Sequence, residues 1–136
     1  MEVVLYPDVD RWLTRVEHFD LDVFAEILAL IEALQSFGRD LGDPESHPAV
    51  TSQFDMHALR RTPPSATVPY ADRPPVIRVL YAFCRRPSGD QVGVVLLGGD
   101  KTELANRWYP PNIAEAERRL LTYAGQHHLT PLRRKH

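Results

Sequence analysis

Two apolar segments joined by a short polar turn constrain the fold of this chain most. Val76 to Cys84 and Gln91 to Leu97 are rich in β-branched, aromatic and other apolar residues. The turn between them contains Pro87, Ser88, Gly89 and Asp90. This pattern predicts an antiparallel hairpin at the centre of a sheet. Because both segments are apolar on both faces, we expect each face of the sheet to be at least partly covered.

The other periodic segments predict three helices and two more strands. Val3 to Tyr6 is a short strand ended by Pro7, with Asp8 in the position of a helix N-cap. Apolar residues at helical spacing predict helices over residues 8–18, 24–34 and 113–124, and residues 54–61 predict a strand. The order indicates an α+β domain with a small, mainly antiparallel sheet, two N-terminal helices and one C-terminal helix. We expect the helices to lie mainly on one side of the sheet.

The length of 136 residues suits one domain spanning residues 1–136. Five prolines between residues 62 and 75 predict a loop that leaves the sheet. Residues 126–136 end in the basic segment Leu132 to His136, and we expect them to form a frayed tail.

Composition restricts the possible functions. The formal net charge is −2 and the pI about 6.3, so any contact with nucleic acid must come from a local basic patch. The single cysteine, Cys84, and an N-terminus without a leader pattern favour a reducing cytoplasm, and no apolar run approaches the about 18 residues needed to cross a membrane. The six histidines show no ligand spacing, so we predict no metal and no cofactor.

Arg78 is the most informative single residue, because it interrupts an otherwise apolar strand. It could form a salt bridge with a carboxylate, or it could grip a phosphate with its planar guanidinium. Arg60 and Arg61 lie on the preceding strand, and side-chain alternation allows only one of them to share the face of Arg78. His57 could titrate near neutrality or be an ordinary polar surface group.

A second cluster follows the central hairpin. Lys101 places a cation at the rim of the sheet after Gly98 and Gly99, which we expect to permit a tight bend. The run Asn106, Arg107, Trp108 and Tyr109 combines an amide, a cation and two aromatic rings, which can stack on a base while holding a phosphate. Alternatively, Trp108 and Tyr109 anchor the loop to the core. Pro110 and Pro111 then oppose continuation of a helix.

These motifs, in this order, resemble the RelE/ParE toxin superfamily in its HigB-like branch. The resemblance rests on Ile77 to Phe83, Val95 to Thr102 and Asn106 to Tyr109. Met1 to Trp12 is similar to the opening strand and helix of the branch, and Met56 to Arg60 resembles its MKELR strand. The likeness covers about residues 2–125.

The resemblance implies a small twisted antiparallel sheet with the three helices described above, and a toxin of a type II toxin-antitoxin system. Its implied activity is metal-independent cleavage of messenger RNA, often on the ribosome, by attack of the ribose 2′-hydroxyl on the adjacent phosphate. The partners implied are messenger RNA, the ribosome and a helix-turn-helix antitoxin. The resemblance assigns Arg78 and Lys101 to phosphate stabilisation, Tyr109 or His57 to proton transfer, and RNA binding to Arg60, Arg61, Asn106, Arg107 and Trp108.

The sequence departs from the family pattern on the MKELR strand, where His57 and Ala58 replace the lysine and glutamate. Ala105 stands where a tryptophan is common, and the proline-rich loop is longer than usual. Two alternatives therefore stay open: a ParE-like toxin that inhibits DNA gyrase, and a relative that has lost catalysis and only binds an antitoxin or another partner. The pair Arg78 and Lys101 favours the nuclease.

Overall fold

The structure, a computed structural model, describes residues 1–60 and 76–135. It is an α+β fold with three helices, as expected, and it has six strands in these ranges where the sequence predicts four. Short 3-10 turns span Gly38–Asp40 and Ala105–Trp108. The helices and strands are, in chain order, β1 (Glu2–Leu5), α1 (Pro7–Phe19), α2 (Leu21–Phe37), β2 (Ser46–Pro48), β3 (Met56–Arg60), β4 (Ile77–Arg85), β5 (Gln91–Asp100), α3 (Tyr109–His127) and β6 (Thr130–Pro131).

The predicted central hairpin is confirmed. Strands β4 and β5 pair antiparallel in the middle of a sheet of order β1-β5-β4-β3-β2, with a register irregularity between Leu80 and Tyr81. The sheet is mixed, because β1 runs parallel to β5, while β2, β3 and β4 are mutually antiparallel. The short β6 pairs with the last two residues of β4.

Both faces of the sheet are covered, as expected from the apolar central strands. Helices α1 and α2 pack on one face, against residues such as Val79, Tyr81 and Val95. Helix α3 packs on the opposite face, against Leu80 and Val94 among others. The expectation that the helices lie mainly on one side therefore holds for α1 and α2 and is wrong for α3. Consecutive side chains of β4 consequently point into different cores.

Proline has a different role from the one expected at two helix starts. Helix α1 begins at Pro7, and Tyr6 rather than Asp8 takes the N-cap position. Helix α3 begins at Tyr109 and carries Pro110 and Pro111 in its first turn. The first amides of a helix have no partner within it, so proline fits there without losing a hydrogen bond. The prolines start α3 instead of opposing it.

Gly98 and Gly99 do not form the expected tight bend, because β5 continues through them to Asp100. A Cβ atom at Gly98 would overlap the ring of Trp12, and one at Gly99 would lie 3.1 Å from the ring of Trp108. The two glycines therefore accommodate two tryptophans from α1 and from the turn before α3. Close packing, not bending, requires glycine here.

The expectation of a frayed tail is wrong for the part of residues 126–136 that the structure describes. The backbone amide of Leu132 donates to the carbonyl of Phe83 at 3.0 Å, and that of Asp55 donates to the carbonyl of Leu132 at 2.8 Å. Arg134 donates from its guanidinium to the carbonyls of Ala49, Ser52 and Met56. The tail is therefore fixed against the sheet. The predicted loop at 62–75, Arg61 and His136 lie outside the described residues.

Within the described ranges, none of the helices has the length and apolar character to span a membrane.

Candidate functional site

Three cationic side chains meet at one edge of the sheet. Arg60 ends β3 and is the cross-strand partner of Arg78 near the start of β4, which in turn pairs with Gly99 of β5. Lys101 follows the end of β5 and donates its backbone amide to the carbonyl of Val76 at 2.9 Å. Antiparallel pairing thus brings cations distant in sequence to one place. They line a cleft of about 500 Å³, together with Asn106, Tyr109 and residues 47–51.

Arg78 is half-buried on the α3 face of the sheet, where alternation along β4 also places Leu80. Its Nε donates to the hydroxyl oxygen of Tyr109 at 3.0 Å, and one terminal nitrogen donates to the carbonyl of Ile77 at 2.9 Å. Within residues 1–60 and 76–135 no carboxylate forms an ion pair with Arg78. Arg78 therefore does not form the alternative salt bridge with these residues, and its guanidinium faces the cleft.

Lys101 and Tyr109 also line the cleft and lie close to each other. The Nζ atom of Lys101 lies 5.1 Å from the ring centroid of Tyr109 and 3.5 Å from the side-chain oxygen of Asn106. Tyr109 therefore lies beside two cations, with Arg78 at its hydroxyl and Lys101 over its ring. An ammonium and a guanidinium group that both contact Tyr109 can bind one phosphate while the hydroxyl contacts one of its oxygens.

An acidic residue, Asp43, contacts two residues of the cleft, Arg60 and His47. Asp43 forms an ion pair with Arg60, whose Nε also donates to the carbonyl of Pro44 at 3.1 Å. The Nδ1 atom of His47 lies 3.2 Å from a carboxylate oxygen of Asp43. The position of His47 could not be predicted from the sequence, because β2 has three residues and is too short to show an alternating pattern.

His57, predicted as a proton-transfer group, lies on the other face of the sheet. Its ring stacks on Tyr81 and meets Phe83 edge-on, with centroids 5.5 and 5.6 Å away, and its Nε2 lies 2.8 Å from a carboxylate oxygen of Asp55. Burial lowers the pKa of His57 below its ordinary value of 6.5, although the carboxylate of Asp55 opposes that shift. His57 therefore lies on the face of the sheet that carries α1 and α2, and it does not line the cleft.

The predicted RNA-binding residues separate into four groups. Arg60 and Asn106 line the cleft. Trp108 is only 4% exposed and packs on Gly99, so its ring has no free face for a base, and the anchoring alternative fits it better. Arg107 is exposed on the turn before α3 but is not among the residues of the cleft wall, and Arg61 falls outside the described residues.

The described residues offer neither an activated cysteine nor a cluster of metal ligands. Cys84 is fully buried, and burial raises the pKa of its thiol to about 11, so it is not an activated nucleophile. Residues 1–60 and 76–135 contain no group of three or more histidine, cysteine, aspartate or glutamate side chains placed to hold a metal ion.

A mixed sheet with two N-terminal helices on one face and a C-terminal helix on the other is consistent with a RelE-like fold. The chain is 30% identical over 128 residues to a protein of Mycobacterium tuberculosis named "Putative toxin HigB3", with 94% of this chain and 97% of the relative covered. It therefore belongs to the HigB-like toxins of the RelE/ParE-type toxin-antitoxin family. No family model matches the chain, and no solved structure matches it.

Proposed function

We propose that this protein is an endoribonuclease toxin that cleaves messenger RNA in the cleft formed by Arg60, Arg78, Lys101 and Tyr109. The observation that carries the proposal is the convergence of three cations, from β3, from β4 and from the residue after β5, on one cleft beside the hydroxyl of Tyr109. Membership of a toxin family supports a harmful activity, and RNA is a polyanion that such a cleft can bind.

The proposed reaction is attack of a ribose 2′-hydroxyl on the adjacent phosphorus, with release of the 5′-oxygen of the next nucleotide. Negative charge accumulates on the phosphoryl oxygens, and Arg78 and Lys101 stabilise it; fixed cations of this kind contribute roughly 10²–10³ in rate. These side chains supply the charge that a metal ion supplies in other nucleases. Arg60 leaves its ion pair with Asp43 and binds a neighbouring phosphate instead.

Proton transfer in this proposal uses groups inside the cleft. The hydroxyl oxygen of Tyr109 accepts a hydrogen bond from Arg78, so its own proton is available for the leaving 5′-oxygen. His47, held by Asp43 through Nδ1, can use its other ring nitrogen to take the proton of the 2′-hydroxyl. In this proposal His47 takes the proton-transfer role that the resemblance implied for His57.

The proposed partners are a cognate antitoxin, of the helix-turn-helix type, and messenger RNA held on the ribosome. A toxin of a toxin-antitoxin system requires an antitoxin that keeps it inactive in the growing cell. An antitoxin that covered the cleft would neutralise the three cations and exclude RNA.

A relative that binds without catalysis is favoured by one observation, the ion pair between Arg60 and Asp43. This ion pair neutralises Arg60, which is one of the three cations of the cleft. If it persisted in the presence of RNA, the cleft would hold only two cations for the substrate.

The deciding experiment is induction of the wild-type chain and of Arg78→Ala/Lys101→Ala in a bacterial host, with growth followed and RNA ends mapped by primer extension. The control, Arg15→Ala/Arg118→Ala, removes the same charge from exposed positions outside the cleft. We expect the wild type and the control to arrest growth and produce internal cleavages, and the folded double variant to do neither.

Two other results would contradict the nuclease. Growth arrest without new RNA ends would indicate another target, such as DNA gyrase. No arrest by a folded, expressed wild-type chain without its antitoxin would favour the binding relative.

A further inference from the structure

A second group of cationic side chains lies at the end of the sheet opposite the cleft. Five cations and one carboxylate line a depression of about 380 Å³: Arg39, Asp55, Arg85, Arg133, Arg134 and Lys135. We call these six residues the distal basic surface. It lies where β4 ends and β5 begins, whereas the cleft lies where β4 begins and β5 ends. The two sites therefore occupy opposite ends of the same strands.

The two sites are too far apart to hold the same nucleotide. Arg78 and Arg85 lie seven positions apart on β4, which corresponds to about 23 Å at the usual rise of a strand. A ligand that contacts both sites must be long. A single phosphate or nucleotide bound in the cleft does not reach Arg85.

The distal basic surface is held in place by the tail. The guanidinium of Arg134 donates to the carbonyls of Ala49 and Met56 at 2.7 and 3.1 Å, which fixes the chain between its exposed neighbours Arg133 and Lys135. Arg39 is positioned 4.4 Å above the centre of the Phe83 ring. A fixed array of cations loses less conformational entropy on binding than a mobile tail.

Most of these cations are not neutralised by neighbouring carboxylates. Of the five, only Arg39 forms an ion pair within the described residues, with Asp55 at 2.6 Å. The chain as a whole has a net charge of −2, so this local excess of positive charge does not follow from composition. It is a property of how the tail is placed against the sheet.

We infer that the distal basic surface binds the phosphate backbone of RNA. Four of its five cations are arginines, whose guanidinium groups match the geometry of phosphate oxygens. Leu132 is the single apolar residue of its lining in the described chain, and it is half-buried, so the apolar anchors of a protein interface are lacking. The inference rests on the proposed function, because an RNA-cleaving protein gains affinity by holding its substrate or ribosomal RNA at a second site.

The test measures binding of an RNA duplex of about 20 base pairs, which presents no flexible single strand to the cleft. The variant Arg85→Gln/Arg133→Gln/Lys135→Gln removes three exposed cations of the surface and leaves the structural Arg134 intact. The matched control, Arg11→Gln/Arg15→Gln/Arg118→Gln, changes net charge equally at exposed positions elsewhere. Dissociation constants are measured by fluorescence anisotropy over a range of salt concentrations.

We expect the surface variant to bind the duplex at least about tenfold more weakly at low salt, with its salt dependence reduced by roughly one phosphate contact per charge removed. The control should bind like the wild type. Arg85→Gln alone, at the end of a strand, should reduce the salt slope by about one, which guards against a folding defect in the triple variant.

Three outcomes separate this inference from the proposed function and from other ligands. If the variant Arg78→Ala/Lys101→Ala still binds the duplex, the inference is supported, whatever the effect of that variant on RNA cleavage. Equal weakening of the surface variant and the control would overturn it, because bulk charge alone would then explain binding. Tighter binding of poly-glutamate than of the duplex at the same ionic strength would also overturn it, in favour of an acidic protein partner.

Discussion

Arg78 donates a hydrogen bond to the hydroxyl oxygen of Tyr109 across the cleft, 3.0 Å away, and so joins the start of β4 to the first residue of α3. The direction of this bond matters. Arginine is always a donor, so the tyrosine oxygen must be the acceptor, and the phenolic proton remains free to be donated elsewhere. One contact thereby positions a cation for phosphate and a proton donor for a leaving group.

Tyr109→Phe removes the hydroxyl and preserves the ring beneath Lys101. If the hydroxyl donates a proton in the reaction, we expect the single-turnover cleavage rate of ribosome-bound messenger RNA to fall about 10²-fold or more. The melting temperature should change little, because the cleft is open to water. The rate and the melting temperature are measured on the same purified protein.

The matched control is Tyr123→Phe, which makes the same chemical change on α3 outside the cleft. It should leave the cleavage rate unchanged. A Tyr109→Phe rate within a few-fold of wild type would show that the hydroxyl only positions Arg78, and proton donation would have to be assigned to another group.

Gly98→Ala tests the packing of Trp12 on β5. The added methyl group would overlap the indole ring, so either Trp12 or the strand must move. Overpacking of this kind costs about 1–3 kcal/mol of the free energy of unfolding. Gly125→Ala is the control, since nothing lies within 4 Å of a Cβ there and alanine favours the helix by about 0.5–1 kcal/mol. Urea unfolding measures the free energy of unfolding of both variants. If Gly98→Ala is as stable as the wild type, the packing of Trp12 on Gly98 is contradicted.

The centre of the fold and of the candidate site could be predicted from the sequence. The apolar runs of β4 and β5 fix the hairpin, and a charge within such a run must face a wet cleft or a partner, which singles out Arg78. Lys101 and Tyr109 lie directly after β5 and at the start of α3, so their convergence follows from chain order. Where the strands are long, the local sequence pattern is therefore sufficient to predict which residues meet in the cleft.

Residues whose position depends on pairing at a distance could not be predicted in the same way. His47 reaches the cleft because the three residues of β2 pair with β3, and the tail is ordered because Phe83 and Met56 offer it backbone carbonyls. His57 is different. Its odd spacing from Arg60 already puts it on the other face of a regular strand. The resemblance assigns His57 to proton transfer, but its ring packs on Tyr81 and does not line the cleft.

Arg134→Ala tests the attachment of the tail. The variant loses the guanidinium that donates to the carbonyls of Ala49, Ser52 and Met56, and leaves these acceptors without that donor. We expect the free energy of unfolding to fall by about 1–3 kcal/mol, together with faster proteolysis after residue 127. Lys135→Ala, next to it and exposed, should be nearly neutral. Equal stability of the two variants would mean that the tail is not held by Arg134.

Stability should depend on pH through His57. Because burial lowers the pKa of His57 in the folded chain, the unfolded chain takes up this proton first as the pH falls below about 6.5. The contribution of His57 is therefore complete above that pH and is lost as the pH falls towards the lowered folded value. Asp55 has a pKa lowered from 3.8, since its hydrogen bonds to Arg39 and His57 outweigh its burial, so its own contribution is lost only at lower pH.

The measurement is urea unfolding of wild type and His57→Phe between about pH 7 and pH 5, where carboxylates of ordinary pKa contribute little. The difference between the two free energies of unfolding isolates His57 from the other histidines. We expect the wild type to lose stability on acidification faster than the variant, because only the wild type must hold an uncharged imidazole between Tyr81 and Phe83. A difference that stays constant over this range would mean that His57 titrates alike in the folded and unfolded chains, and that its ring is not buried against these aromatic residues.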